Sequence, residues 1–347
     1  MEKIDFVLPW VDGSDPEWRK TKDSFFAMES QNQLVASDVV GDDANSDCRY
    51  RELGFLRYWF RSVELYAPWV NKVYFITCGQ SPDWLNLEHP KLVCINHKDY
   101  IPDQYLPTFN SNTIELNVHR IKDLSERFVL FNDDMFLLRP VSPDFFFHEN
   151  DPILVSSLRY PKSLGLNNWS RVAFNNYCLV NRYFDNKKTI WKNRNKWFKI
   201  SALGFTESFR NILCYWANKS IPVGNYGHLA EPHLKSTLSE VWEKCYDYLD
   251  LTSRHRFRSD DQVNQWLICA WNQAQGKFFP GHLSKRGDRI RISPSNMDRI
   301  CDSILGHAFP QICLNDTSVN TDSVDCADRI ISAFNQIFPN RSSFEID

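Results

Sequence analysis

Phe128-Val129-Leu130-Phe131-Asn132-Asp133-Asp134-Met135 sets four apolar residues directly before a pair of carboxylates. A short, continuous apolar run closed by turn formers is the pattern of a strand buried on both faces. Such a strand delivers Asp133 and Asp134 to its carboxyl end, where a hard cation bridging two phosphates finds oxygen ligands. The same two residues can also cap the next turn and face solvent, and the octapeptide alone leaves both readings open.

Working upstream, Ile4 to Pro9 is another short apolar run, ending in Trp10-Val11-Asp12-Gly13-Ser14-Asp15, a turn by composition. The polar, small-residue-rich stretch from Ser30 to Asp47 reads as a mobile loop beside the strand ends. Leu53, Leu56, Tyr58-Trp59-Phe60, Val63 and Leu65 recur at helical spacing until Pro68. Two buried strands, Val73–Thr77 and Leu92–Ile95, come next, and Ile114, Val118 and Ile121 then share one helical face between Ser111 and Leu124. Alternation of strand and helix predicts an α/β fold with a mostly parallel, doubly wound sheet. Ligands of such sheets bind beyond the carboxyl ends of the strands.

Downstream, residues 167–275 are rich in Trp, Asn and Lys, with helical patterns near Thr206–Trp216, Lys235–Asp250 and Asp261–Gln273. The expectation is a single catalytic domain over 1–347, with an α/β core in 1–150 and about 276–347 and a helical insertion at about 167–275. A helix around Ala327–Phe338, stopped by Pro339, closes the chain. Before it, Ile312-Cys313-Leu314-Asn315-Asp316-Thr317 is a second apolar strand ending in Asn-Asp. Two such ends from distant parts of the chain could close one metal site, although Asn-Asp after a strand also makes an Asx-turn readily.

Two further clusters carry chemistry. His228-Leu229-Ala230-Glu231-Pro232-His233 precedes a helical pattern, so both histidines are expected on a loop, able to titrate and reach a substrate or merely to sit at the surface. Arg254-His255-Arg256-Phe257-Arg258-Ser259-Asp260-Asp261 would open a helix with three guanidinium groups, suited to gripping phosphate or to pairing with the adjacent aspartates.

Composition excludes several classes. The 40 Lys and Arg against 43 Asp and Glu leave a net charge of -3, so no global positive field points to nucleic acid. No apolar run approaches the ~18 residues of a membrane span. The chain reads as soluble and intracellular. Its 10 cysteines lack any Cys-x-x-Cys pair and lie mostly in apolar contexts, as expected of reduced core thiols rather than of zinc ligands or a disulfide framework. Sequons at Asn168, Asn218, Asn315 and Asn340 are therefore discounted.

Taken together, these pieces resemble one family. Ile4 to Asp15 is similar to the first characteristic region of the Stealth phosphotransferases. Arg51-Glu52-Leu53 through Trp69-Val70, Thr77-Cys78-Gly79-Gln80, Pro82 to Asn86, Leu106 to Ser111, and His119 to Asp134 resemble the second. His228 to Trp266 looks like the third, and Ile312 to Asp316 like the fourth. The resemblance implies a nucleotide-sugar-transferase-like fold and transfer of a hexose-1-phosphate from a nucleotide-sugar to a sugar hydroxyl in a capsular or surface polysaccharide. A nucleoside monophosphate would leave. It further implies Mg²⁺ or Mn²⁺ on Asp133, Asp134 and Asp316, His228 as the catalytic histidine and Arg258 as the phosphate-binding arginine. Trp10, Asp12, Gly13 and Asn110 would lie against the donor. The implied acceptor is a saccharide, lipid-linked or free, met in the cytoplasm or at the inner face of the cell membrane, where peripheral association would serve it.

Two rivals share parts of this pattern. A metal-dependent glycosyltransferase would use similar aspartates but release a nucleoside diphosphate. A carbohydrate-binding module would account for the 12 Trp and 13 Tyr but has no need for paired strand-end aspartates.

Overall fold

The computed structural model describes residues 3–31, 45–159, 168–217, 223–224, 227–316 and 322–346. At its centre, β1 (Ile4–Pro9), β2 (Val73–Thr77), β3 (Leu92–Asn96) and β4 (Arg127–Leu130) form a parallel array. The strand Glu231–Leu234 joins antiparallel to β4, giving the order Glu231–Leu234, β4, β1, β2, β3. From β1 the chain steps outward through β2 and β3, then returns to place β4 on the other side of β1. That reversal is a topological switch point, and it opens a crevice between the carboxyl ends of β1 and β4.

Side chains alternate across this sheet as the strand period requires. Phe6, Leu8, Val73, Phe75, Val129 and Phe131 enter one apolar cluster, with Trp59 and Phe60 of α2 (Leu56–Tyr66). Phe334, from the helix Asp322–Ile337, completes that side. Val7, Tyr74, Ile76, Phe128 and Leu130 enter the opposite cluster with Trp242, Leu267 and Trp271. Helices therefore cover both faces, and apart from Asp5 in β1 and Arg127 at the start of β4 the two strands are apolar. Each fully buried Phe contributes roughly 1.5–3 kcal/mol. The Phe6 and Phe131 rings, 4.8 Å apart, tie the two switch-point strands together.

Just beyond β4 the chain turns through Asn132-Asp133-Asp134 into β5 (Met135–Leu137), which belongs to a second sheet. There the strand Gln311–Asn315 lies between β5 and the strand Gly287–Arg291. Asp133 and Asp134 thus occupy the junction of two sheets. The chain end is anchored by a buried fork: Nε and Nη2 of Arg61 donate to Glu345 Oε1 and Oε2, each at 2.7 Å. Removing either partner would strand the other's charge, at a cost of about 3–5 kcal/mol.

Several local expectations change. The loop expected over Ser30–Asp47 begins inside the last turn of a helix, α1 (Pro16–Gln31), while its residues 32–44 lie outside the described residues. The helix expected across Ser111–Leu124 stops early, as α3 (Ser111–Leu116), followed by one 3₁₀ turn at Val118–Arg120. At the break Asn117, fully buried, donates to Thr113 O at 2.8 Å and to Ser253 Oγ at 3.2 Å, drawing its side chain into the core. The expected helical insertion does contain α4 (Asn168–Tyr183), α5 (Asn186–Lys192), α6 (Arg194–Trp197) and α7 (Ile200–Ala217). It also contributes Glu231–Leu234 to the central sheet, where Pro232 is accommodated because that strand is an edge. All ten cysteines are free thiols.

Candidate active site

A cavity of ≈ 390 Å³ lies in the crevice between β1 and β4. Pro9-Trp10-Val11 enters it from the end of β1 and Asn132-Asp133-Asp134 from the end of β4; Leu314-Asn315-Asp316 arrives from the second sheet. The last two meet because the Gln311–Asn315 strand runs antiparallel to β5, and Leu314 N donates to Asp134 O at 2.8 Å. Both Asn-Asp strand ends therefore open into one cavity. His228 and Arg258 line it too.

Asp134 is the best-defined of these groups. Its Oδ2 accepts from Cys313 Sγ at 3.2 Å and lies 3.9 Å from His228 Nε2. Its Oδ1 is buried with no hydrogen-bond partner. The Asp133 carboxyl is pushed well above the usual range, first by burial, then by the charge of Asp134 and then by Glu52. Two crowded carboxylates, one with an orphaned oxygen, are a donor set suited to a hard divalent cation, so the residues present fit such an ion. Among the described residues, Asp134, His228 and Cys313 also bring one ligand atom each within 4.8 Å of one another. Burial and the nearby Asp134 raise the Cys313 thiol well above its usual range, so it stays protonated and donates to Asp134 instead of ligating as thiolate. Asp316, by contrast, is already engaged. Its Oδ2 accepts from Arg51 Nη1 at 3.2 Å and from Ser323 Oγ at 3.0 Å.

The two histidines separate cleanly. His228 stands on a loop in the left-handed region, at φ 49, a conformation that histidine tolerates better than most residues. Burial lowers its pKa, Asp134 opposes that, and the charges of Arg289, Arg258 and Arg49 add to the lowering. Its ring, 5.8 Å from that of Trp266, is held neutral and faces the cavity. His233, expected on the same loop, is instead on the edge strand, 2% exposed and opposite Phe128. Its Nε2 hydrogen-bonds Gln265 Oε1 at 3.1 Å.

Arg258 was expected at a helix start, but the helix begins only at Trp266. Polar side chains hold the intervening backbone out of helix: Asn175 donates to Asp260 O and Gln262 O, and Gln262 donates to Phe257 O. Arg258 is seated by backbone and side chain alike. Its N donates to Asn45 Oδ1 at 2.9 Å and its Nη2 to Ser111 Oγ at 2.8 Å.

Of the four positions expected against the donor, only Trp10 lines the cavity. Its Nε1 donates to Glu52 Oε2 at 2.8 Å, and its ring stacks on Phe75 at 5.5 Å. Asp12, Gly13 and Asn110 support the wall from outside it. Asp12 exchanges backbone hydrogen bonds with the Gln80 side chain. Gly13 N donates to Tyr50 O at 3.0 Å, and a Cβ at Gly13 would lie 2.2 Å from that oxygen. Asn110, wholly buried, caps α3 and donates to His255 O at 3.1 Å.

Sequence reasoning assigned no role to three guanidinium groups and two carboxyls. Arg49, Arg51 and Arg289 join Arg258 in the cavity wall, and Glu52 and Glu115 line it too. Burial pushes Glu115 up to about 7, with Arg258 opposing. The signal for Arg51 was present, since it opens the second resemblance block. For Arg289 no local signal exists, because its place depends on the pairing of Gly287–Arg291 with the strand that carries Asp316.

A switch-point crevice lined by paired carboxylates, a neutral histidine and guanidinium groups defines an α/β transferase acting on a phosphorylated substrate. Comparison with known proteins narrows this. Residues 2–25 match Stealth protein CR1, conserved region 1, and residues 49–154 match Stealth protein CR2, conserved region 2. The chain is 41% identical to "Capsular polysaccharide phosphotransferase WcwK" of Streptococcus pneumoniae over 99% of its own length and 98% of the relative's. Identity is 38% over the full length of both chains with "Receptor polysaccharide phosphotransferase WefC" of Streptococcus oralis. With "Exopolysaccharide phosphotransferase cps2G" of Lactiplantibacillus plantarum it is 33% over 99% and 96% of the two lengths. The chain belongs to the Stealth family, and it is a phosphotransferase.

Proposed function

We propose that this phosphotransferase moves a hexose-1-phosphate from a nucleotide-sugar to a hydroxyl of a capsular or surface polysaccharide, releasing a nucleoside monophosphate. The observation that carries the reading is the meeting of Asp133–Asp134, His228 and four arginines in one switch-point cavity. Full-length similarity to proteins named as polysaccharide phosphotransferases supports the substrate class. The acceptor, lipid-linked or free, is met in the cytoplasm or at the inner face of the membrane.

In this scheme the acceptor oxygen attacks the phosphorus next to the sugar. A new O–P bond forms, the phosphoanhydride bond breaks, and its electron pair leaves on the nucleoside monophosphate. His228 Nε2, neutral through burial, takes the hydroxyl proton, a contribution of ~10²–10⁴-fold. Charge spread over the non-bridging oxygens falls to Arg258, fixed by Ser111 and Asn45, with Arg289 and Arg49 beside it. Trp10 offers an apolar, stacked wall for the donor's base or sugar. A divalent ion held by Asp133 and Asp134, with Asp316 close by, would neutralise the diphosphate and ease departure of the leaving group.

The test is a donor screen with purified protein, Mg²⁺ or Mn²⁺ and a saccharide acceptor, with the released nucleotide identified. A nucleoside monophosphate together with a phosphodiester product supports the reading. Release of the diphosphate would make the enzyme a glycosyltransferase, and saccharide binding with no turnover of any donor would make it a binding module.

A further inference from the structure

α7 carries its amphipathicity the wrong way round for a packed helix. After a break at Gly204 (φ 75, ψ 167), its inward face is Ser208, Asn211 and Cys214. Hydrogen bonds hold that face to the body: Asn211 Nδ2 donates to Ser156 O and Trp197 O, each at 2.7 Å, and Leu158 N donates to Asn211 Oδ1 at 2.8 Å. The outward face is large and apolar. Phe205 is 71% exposed, Phe209 51%, Leu213 51% and Trp216 69%. These positions recur at i, i+4, i+8 and i+11, one stripe of a helix. A monomer rarely leaves a contiguous stripe of this kind in water unless something covers it.

Charge indicates what that is. The segment 186–217 holds seven Lys and Arg but one acidic residue, in a chain whose net charge is -3. That acid, Glu207, is already committed to Arg159 and Arg210. Lys187 Nζ rests 5.4 Å from the Tyr215 ring and Arg194 lies 5.5 Å from that of Trp191, so the cations border the stripe. Trp191 and Tyr215 stack at 5.8 Å, and Tyr215 meets Trp216 edge-on at 5.4 Å, joining the basic margin to the apolar face. Two copies meeting through this face would set each basic margin against its own image. An anionic surface takes both features at once, apolar rings at the acyl boundary and cations among the phosphates. Among the described residues no helix is long and apolar enough to cross a membrane, so contact here is interfacial.

We propose that α7 docks this protein on an anionic phospholipid bilayer, with Phe205, Phe209, Leu213 and Trp216 in the interface and Lys187, Lys192 and Arg194 against lipid phosphates.

Vesicle flotation tests this without any turnover, so it can fail while the catalytic reading stands, and the reverse. The full chain should float with phosphatidylcholine–phosphatidylglycerol vesicles and hardly at all with phosphatidylcholine alone. Phe205→Ser/Phe209→Ser/Trp216→Ser should lower partitioning by more than about tenfold, each ring losing its apolar burial. Its melting temperature should stay close to that of the parent, since none of the three is a core residue. Lys187→Gln and Lys192→Gln should each cost roughly fivefold on the anionic vesicles. The proposal is overturned if the parent protein does not float, or if the triple variant floats as well as it. It also falls if light scattering shows a dimer that the triple variant abolishes, which would make a second copy the occupant.

Discussion

His228 Nε2 stands 3.9 Å from Asp134 Oδ2, and the thiol of Cys313 donates to that same oxygen at 3.2 Å. Three segments far apart in sequence thus converge on one carboxylate. The consequence is a division of labour around Asp134. One oxygen accepts the hydrogen bond of the Cys313 thiol and lies near His228 Nε2 but beyond hydrogen-bond reach, while the other is buried without a hydrogen-bond partner and suits an ion. Asp133, its ionised form disfavoured by burial and by Asp134, would be eased by the same positive charge.

Replacing Asp134 by Asn should therefore abolish turnover while leaving the fold intact, since Asn fills the same volume but brings no charge to a cation. Chelation with EDTA should reproduce the loss in the parent, and added Mg²⁺ or Mn²⁺ should restore it. Full activity of the parent in metal-free buffer would dismiss the ion from the scheme. Asp316→Asn separates two roles: loss of turnover with unchanged thermal stability argues for a place at the ion, whereas a lowered melting temperature argues for the Arg51–Ser323 bridge.

His228→Asn is the most informative single change, because Asn adopts φ near 49 readily and leaves the loop undistorted. A fall in kcat of ~10²–10⁴-fold with donor affinity nearly unchanged is the expected signature of a lost general base. Equal losses in kcat and in donor binding would instead point to a binding role.

How much of this could be read beforehand differs from residue to residue. β1 and β4 were legible because burial on both faces makes them mostly apolar, Asp5 and Arg127 excepted, and the aspartates beyond their ends stand out against that run. Asp316 was legible for the same reason, at the end of Gln311–Asn315. Without the resemblance, which singled out His228, the two histidines were indistinguishable, since the fate of each depends on whether its segment pairs with β4, which Glu231–Leu234 does and His228 does not. Arg289 was invisible, because Gly-Asp-Arg-Ile-Arg carries no local hint of the strand beside it. Asp12, Gly13 and Asn110 were marked by resemblance, and the fold explains their need in terms of turns and close approach to Tyr50 and His255.

Arg258→Lys keeps the positive charge but loses the planar fork that Ser111 holds in place. The expected result is a fall in kcat/KM of at least about tenfold, with no change in melting temperature. Were Arg258→Lys to match the parent in kcat/KM, Arg49 or Arg289 would become the principal phosphate ligand.

The last prediction concerns His233, which burial pushes down to about 4 although its bond to Gln265 works in the other direction. In the unfolded chain the same ring titrates near ~6.5. Between those two values the unfolded state binds a proton that the folded state refuses, so the stability contributed by neutral His233 is present above about pH 6.5 and lost as the pH falls toward 4. The loss amounts to about 1.4 kcal/mol per pH unit across that window. His97, also pushed down to about 4 by burial, adds to it. Glu231, on the same strand and pushed up to about 7 by burial despite Arg286, works in the opposite sense, since its protonation below that value favours the folded state. His233→Gln should therefore flatten the fall in melting temperature between about pH 6.5 and pH 5, and Glu231→Gln should steepen it. Thermal unfolding of the three proteins across that range measures both slopes. Because His233 lies in the sheet and does not itself line the cavity, although its partner Gln265 does, His233→Gln should also retain turnover at neutral pH. A variant that folds normally but is inactive would move the catalytic assignment from His228 to His233.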